Sequence, residues 1–110
     1  MRIAIPIGHK ELCKYFGRCN RFSIIDLDLI SKDIKSKKII DLSENQQTDI
    51  TKYLQKINVD MVIANSICNR TREKLSEKKI LLLYGAMTKQ PETLVADFAY
   101  GNLYTRNHYT

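Results

Sequence analysis

The sequence predicts an α/β domain built on a five-stranded mixed sheet, with the strand order 3-2-1-4-5 and helices on both faces. Short apolar runs and segments of helical period follow one another in the order βββαβαβα. The first three runs are closely spaced, which is typical of antiparallel neighbours. The last two each follow a helix, and right-handed crossovers place such strands parallel to the first one.

The five strands are predicted from apolar runs that end at polar or turn-forming residues. The first run is rich in isoleucine and ends at Gly8. Residues 8–20 show no clear period and are predicted to form a long loop. The last two runs are short and almost wholly apolar, as in central parallel strands. The predicted strands cover residues 2–7, 22–28, 38–42, 60–64 and 80–84.

Three helices are predicted from apolar spacing and from residues suited to helix ends. The first carries Ile50, Leu54 and Ile57 at helical intervals, with Thr48 or Asp49 as its cap. Asn69 is the expected cap of a second helix that runs to about residue 77. Proline suits the first turn of a helix, so the third begins near residue 91. Its predicted apolar face consists of Leu94, Val95, Phe98 and Ala99.

Size and composition indicate one ordinary globular domain over residues 1–110, with no reliable pattern from about residue 103. The chain is 44% apolar and 27% charged, and its net charge of +6 favours an anionic partner. No stretch resembles a signal peptide or a membrane span, so a cytoplasmic protein with no membrane partner is expected. The odd number of cysteines, three, argues against a disulfide framework and favours thiols that are buried or bind metal.

The positions of the acidic, tyrosine and histidine residues argue against three function classes. A two-metal nuclease needs clustered carboxylates, but the first strand has no acid, and Asp26, Asp28 and Asp60 lie apart. Nucleic acid is not expected as a partner, because the six tyrosines are scattered rather than interleaved with basic residues. A cysteine nucleophile would have only His9 as its base. We therefore expect a binding protein and not an enzyme.

Four segments resemble the dinitrogenase iron–molybdenum cofactor biosynthesis family, which includes NifX, NafY and the C-terminal domain of NifB. The most specific is Tyr-Phe-Gly-Arg-Cys-Asn-Arg-Phe-Ser-Ile-Ile-Asp at 15–26. The others are Arg-Ile-Ala-Ile-Pro at 2–6, Val-Asp-Met-Val-Ile-Ala at 59–64 and Ala-Tyr-Gly-Asn-Leu at 99–103. The resemblance implies a ribonuclease-H-like, three-layer α/β/α fold, which agrees with the strand order predicted above.

The resemblance also implies a function. It points to a non-catalytic carrier of an anionic metallocluster or its precursor, either an iron–molybdenum cofactor or an iron–sulfur cluster. A cluster donor or acceptor protein would then be the partner. The alternative is a nucleic-acid-binding or protein-interaction module of the same fold that has lost cluster binding. Tyr15 replaces the family's usual histidine, residues 43–48 lack its glycines and histidines, and Asn-Ser-Ile-Cys at 65–68 replaces its Gly-rich turn.

The predicted site lies at the C-terminal ends of the first and fourth strands, where ligands collect in open α/β sheets. There loop 8–20 should meet turn 65–69. The cofactor-binding residues predicted from the family's motif are Tyr15, Phe16, Gly17, Arg18, Asn65, Ser66 and Asn69.

Thiolates suit iron or copper, so three cysteines are predicted as metal ligands, with His9 as a fourth ligand. Gly17 is expected to adopt positive φ. A purely structural, buried role is the alternative for all three cysteines, and above all for Cys19. Basic residues should gather at the same edge. The predicted metal ligands are Cys13, Cys19 and Cys68, and the basic residues are Lys10, Lys14, Arg18, Arg21, Arg70 and Arg72.

Overall fold

Five strands form one mixed sheet in the computed structural model, which describes residues 1–42 and 49–106. The observed order is β3-β2-β1-β4-β5, as predicted. β1 is antiparallel to β2 and parallel to β4, and β4 is parallel to β5. The strands are β1 (Arg2–Ile7), β2 (Arg21–Leu27), β3 (Ile34–Asp41), β4 (Met61–Ile63) and β5 (Leu81–Leu83).

β3 is four residues longer at its start than the apolar run that predicted it. The strand begins at Ile34 and pairs with β2 in antiparallel register, with an irregularity between Asp26 and Leu27. It forms one edge of the sheet, and most of its side chains are exposed. Because the start of the strand carries exposed lysines, a prediction based on apolar runs does not include it. Lysine is typical of edge strands, where it prevents pairing with other chains.

Three helices and one 3-10 turn complete the fold: the turn Phe16–Arg18, α1 (Ile50–Lys56), α2 (Asn69–Glu77) and α3 (Pro91–Ala99). Asp49 caps α1 by accepting the Thr51 backbone N–H at 3.0 Å, as predicted. The prediction for α2 is wrong by one residue. Asn69 is its first helical residue and Cys68 is the N-cap.

The sheet separates two apolar cores, and this confirms the three-layer α/β/α architecture. Alternate residues of each strand point to opposite faces. Ile3, Ile5 and Ile25 lie in one core, which α3 covers through Leu94 and Val95. The other core is covered by α1 and α2; it includes Ala4, Phe22, Ile24, Val62, Leu54 and Leu75.

The C-terminal segment returns to the end of β5. The backbone N–H of Arg106 donates to the Tyr84 carbonyl at 2.7 Å. Gly85, which follows Tyr84 in the chain, has φ of +79°. The predicted polar connection at 43–47, the alternative cap Thr48 and residue His108 lie outside the described residues. In residues 1–42 and 49–106, no helix is long and apolar enough to cross a lipid bilayer.

Candidate functional site

Loop 8–20 is fixed against the end of β4 by backbone hydrogen bonds. Tyr15 and Ser66 form an isolated parallel bridge. The Phe16 N–H donates to the Ser66 carbonyl at 2.9 Å, and the Ser66 N–H donates to the Lys14 carbonyl at 3.0 Å. The Phe16 ring is buried against Phe22, with ring centroids 5.6 Å apart. The loop and the turn after β4 therefore meet, as the predicted topology requires.

A cleft of about 320 Å³ opens between this loop and the start of α2, and we call it the loop–helix cleft. It brings together five of the predicted cofactor-binding residues. Ile67 and Thr71 also line it, although no sequence motif singled them out. Thr71 could have been found from its position three residues after Cys68, because residues three apart lie on the same helix face. The lining consists of Tyr15, Phe16, Gly17, Arg18, Ser66, Ile67, Cys68 and Thr71.

Two cations surround the aromatic ring at the rim of the cleft. The Arg18 guanidinium carbon lies 5.4 Å from the centroid of the Tyr15 ring, and Lys14 Nζ lies 5.6 Å from it. Tyr15 is 47% exposed, so both cation–π contacts lie at the protein surface. Not all the predicted basic residues gather here: Arg72 instead stacks over Tyr84 at 4.5 Å.

Cys68 supplies the thiol of the cleft. Its side chain is exposed, and its sulfur lies 3.2 Å from the Thr71 hydroxyl oxygen. The pKa of Cys68 is lowered from the usual thiol value, chiefly by the hydrogen bond with the Thr71 hydroxyl and also by backbone N–H groups at the start of α2. A thiolate is the form that binds soft metals, and the position favours it.

The structure does not bring the three cysteines predicted as metal ligands together in one place. Cys13 and Cys19 are joined by a disulfide, with their Cα atoms 6.5 Å apart, whereas the cysteine count favoured thiols that are buried or bind metal. Their sulfurs lie 3.7 and 3.0 Å from the Tyr15 carbonyl oxygen, and Cys19 is buried. Cys68 lies in the loop–helix cleft, which neither bonded cysteine lines. The described residues contain no group of three His, Cys, Asp or Glu side chains suited to a metal.

The disulfide and His9 line a different depression, about 420 Å³ in volume, together with Arg21 and Asp41. Arg18 lines this depression and the loop–helix cleft as well. The imidazole that was predicted as a fourth metal ligand is therefore separated from Cys68. Arg18 is the side chain that connects the two sides of the loop.

Two predicted cofactor-binding asparagines lie outside the cleft. The Asn65 side-chain amide donates to the Ala86 carbonyl at 2.6 Å, and the Asn65 backbone carbonyl accepts the Gly85 N–H at 2.8 Å. Asn65 therefore joins the ends of β4 and β5. The Asn69 amide oxygen accepts a hydrogen bond from Arg72 at 3.1 Å, and both residues line a separate depression between α2 and the end of β5.

Gly17 does not have the positive φ that was predicted. The two glycines with positive φ are Gly85 and Gly101, whereas Gly17 lies within the 3-10 turn. A Cβ at Gly17 would meet no other atom within 4 Å. The backbone therefore does not require glycine at this position, and the lack of a side chain leaves the rim of the cleft open.

A family model described as "Dinitrogenase iron-molybdenum cofactor" matches residues 1–101 of the chain. An uncharacterized protein of Methanocaldococcus jannaschii, MJ0580, is 42% identical over 41 residues. That match covers 37% of this chain and 33% of MJ0580, so it spans about a third of that protein's length.

Solved structures share the whole fold. The crystal structure of PH0822 superposes with a TM-score of 0.85 at 21% identity, covering 96% of this chain and 95% of the other. The crystal structure of a Methanocaldococcus jannaschii protein provisionally named a dinitrogenase, MJ0327, superposes with a TM-score of 0.78 at 25% identity. The match covers 99% of this chain and 97% of MJ0327. The apo form of the orange protein from Desulfovibrio gigas gives 0.72 at 16% identity, covering 94% and 91%.

Proposed function

Because this chain belongs to the dinitrogenase iron–molybdenum cofactor family, we propose that it binds and carries an anionic metal–sulfur cluster or its precursor without chemical turnover. The loop–helix cleft is the proposed binding site. The observation that carries the proposal is the placement of a thiol with a lowered pKa, Cys68, in the same cleft as the Arg18 guanidinium. A soft metal ion and a negative charge are the two features that this pair recognises together.

Charge supports the proposal at the rim of the cleft. The Arg18 guanidinium carbon and Lys14 Nζ lie 5.4 and 5.6 Å from the centroid of the Tyr15 ring. Neither residue makes an ion pair with a carboxylate in residues 1–42 and 49–106. Their charges are therefore available to attract an anionic cargo.

The donor set fits a cargo that arrives as an assembled cluster rather than a bare ion. One thiol, Cys68, is available in the cleft, and the other side chains with hydroxyl groups that line it are Tyr15, Ser66 and Thr71. Such a set is too small to enclose a metal ion, which proteins usually surround with three or four ligands. A cluster that already carries its own sulfide can be held by one thiolate, hydrogen bonds and charge.

The lining of the cleft also supports binding without turnover. General acid–base catalysis most often uses an imidazole or carboxylate group within reach of the reacting atoms. Among the described residues, those that line the loop–helix cleft include no Asp, Glu or His. Because the cleft lies at the surface, a donor or acceptor protein could reach the cargo directly, and we propose such a protein as the partner.

The proposal is tested with the purified protein under anaerobic conditions. The isolated iron–molybdenum cofactor is added, or iron with sulfide, and retained metal is measured after a desalting column. Cys68→Ser and Arg18→Gln should each retain about tenfold less cofactor than the wild type, because the first removes the sulfur that binds metal and the second removes a positive charge. Lys56→Gln is the matched charge control, since Lys56 is an exposed residue of α1 that does not line the cleft.

Equal retention by all four proteins would refute the loop–helix cleft as the site. The melting temperatures of the variants must match that of the wild type, because Cys68 and Arg18 are exposed and replacing them should leave the fold intact.

A further inference from the structure

A second concave surface lies on the face of the sheet covered by α3, and we call it the strand groove. Its volume is about 510 Å³. Ile7, Ile39 and Pro91 provide apolar surface, and Lys10 and Lys37 provide positive charge. The groove shares no lining residue with the loop–helix cleft, so an inference about it does not depend on the function proposed above.

Ser23 is a buried polar residue with no evident structural role. It lies between Ile5 and Ile39 in the sheet and is only 4% exposed. Its hydroxyl makes no hydrogen bond to any residue in the described part of the chain, and it lines the strand groove. Among the described residues no side-chain polar atom is both sealed from solvent and without a partner, so the small exposed part of Ser23 includes its hydroxyl, which can hydrogen-bond to a molecule in the groove.

The start of α3 adds hydrogen-bond donors beside this hydroxyl. The N-cap residue Gln90 makes no capping hydrogen bond with its side chain. The backbone N–H groups of Glu92 and Thr93 have no carbonyl partner within the helix, because the first N–H groups of a helix never do. Gln90 and Glu92 themselves line the strand groove.

The charges of the groove favour an anion. Lys10, Lys37 and Lys38 line it, and the only carboxylate among its described lining residues is Glu92. Lys37 Nζ lies 3.5 Å from Glu92 Oε1, so these two charges partly offset each other, and Lys10 and Lys38 leave the groove with a net positive charge. His9 also lines the groove and adds a further hydrogen-bonding group.

We propose that the strand groove binds a small molecule in which an oxyanion, a phosphate or a carboxylate, is attached to an apolar body. The oxyanion accepts hydrogen bonds from the Ser23 hydroxyl and from the free N–H groups at the start of α3, and it lies near Lys37. The apolar body rests on Ile7, Ile39 and Pro91. Most ligand sites combine apolar surface with a few polar groups in this way.

The test is a titration of the ¹⁵N-labelled full chain followed by amide chemical shifts. The probes are phenyl phosphate, benzoate and inorganic phosphate. We expect saturable shifts at Ser23, Glu92 and Thr93 with phenyl phosphate, benzoate or both. The probe that saturates identifies which oxyanion the groove prefers, and inorganic phosphate should bind more weakly because it lacks the apolar body.

Three variants complete the experiment. Ser23→Ala should weaken binding about 2- to 10-fold, as expected for one hydrogen bond. Lys37→Gln should weaken it at least as much, and because Lys37 is at the surface this variant remains informative if Ser23→Ala is unstable. Lys56→Gln, on the opposite face of the sheet, should bind like the wild type. Shifts that do not saturate, inorganic phosphate binding as tightly as phenyl phosphate, or an equal affinity for all variants would overturn the proposal.

Discussion

Tyr15 and Ser66 are paired through their backbones, and this bridge joins the two segments that form the loop–helix cleft. The pairing joins the loop after β1 to the turn after β4, two strands that lie side by side in the sheet. Ligands collect where such neighbouring parallel strands lead into connections that diverge. The bridge holds the rim residue Arg18 and the thiol of Cys68 in the same cleft.

The first prediction concerns the acidity of Cys68. Its pKa is lowered chiefly by the Thr71 hydroxyl, so its alkylation by iodoacetamide should rise with pH at a midpoint below that of a free cysteine. Thr71→Val removes the hydroxyl and should move this midpoint to higher pH. The rate is measured by mass spectrometry across pH 6 to 10. An unchanged midpoint in Thr71→Val would contradict the role of the hydroxyl.

The second prediction concerns the disulfide between Cys13 and Cys19. Titration of the unfolded protein with a thiol reagent should find one free thiol before reduction and three after it. Closing a short loop should stabilise the fold by about 2 kcal/mol, so a reductant should lower the free energy of unfolding by that amount. Cys13→Ser is the control, because its stability should not respond to reductant. Three free thiols in the untreated protein would contradict the prediction.

The third prediction concerns Asp26, which links the start of β1 to the hairpin of β2 and β3. Its carboxylate accepts from Arg2 Nε at 2.9 Å and from the Ser36 hydroxyl at 2.9 Å, and the Arg2 hydrogen bond is the main reason that the pKa of Asp26 is lowered. The stabilisation is therefore present above the unfolded pKa of about 3.9 and is lost as pH falls through the lower folded value.

Asp26→Asn should therefore lower the free energy of unfolding by about 1 kcal/mol at neutral pH, since the ion pair is partly exposed. The difference between variant and wild type should shrink below pH 4. Urea denaturation at pH 7 and at pH 3 measures it. A difference that is equally large at both pH values would rule out the charge as its cause.

The fourth prediction compares two glycines with positive φ. A Cβ at Gly85 would lie 2.9 Å from the backbone nitrogen of Arg106, whereas a Cβ at Gly101 would meet nothing within 4 Å. Gly85→Ala should cost about 2 kcal/mol or more, and Gly101→Ala about 1 kcal/mol, the strain of the left-handed region alone. Thermal unfolding of both variants checks the order, and equal losses would contradict it.

The sequence was sufficient to predict the sheet and the location of the cleft, because both follow from periodicity and topology. The five apolar runs and their spacing determine the strand order, and that order requires loop 8–20 to meet turn 65–69. β3 was predicted too short, since an edge strand with exposed lysines lacks the apolar signal on which the prediction depended.

The direction of individual side chains could not be predicted in the same way. Asn65 and Asn69 flank Ser66 and Cys68 in the chain, yet their side chains bond to Ala86 and Arg72, away from the cleft. Those directions depend on the turn geometry after β4. The count of three cysteines likewise indicated free thiols, but two of them are close enough in the folded loop to bond.

The central claim is tested most directly by measuring how much iron–molybdenum cofactor the wild-type chain retains. The protein is mixed anaerobically with an excess of isolated cofactor and passed through a desalting column, and iron and molybdenum are measured per chain. The account predicts about one cofactor per chain, falling about tenfold in the Cys68→Ser variant while its melting temperature is unchanged. No metal retained by the wild type, or full retention by Cys68→Ser and Arg18→Gln, would contradict the account.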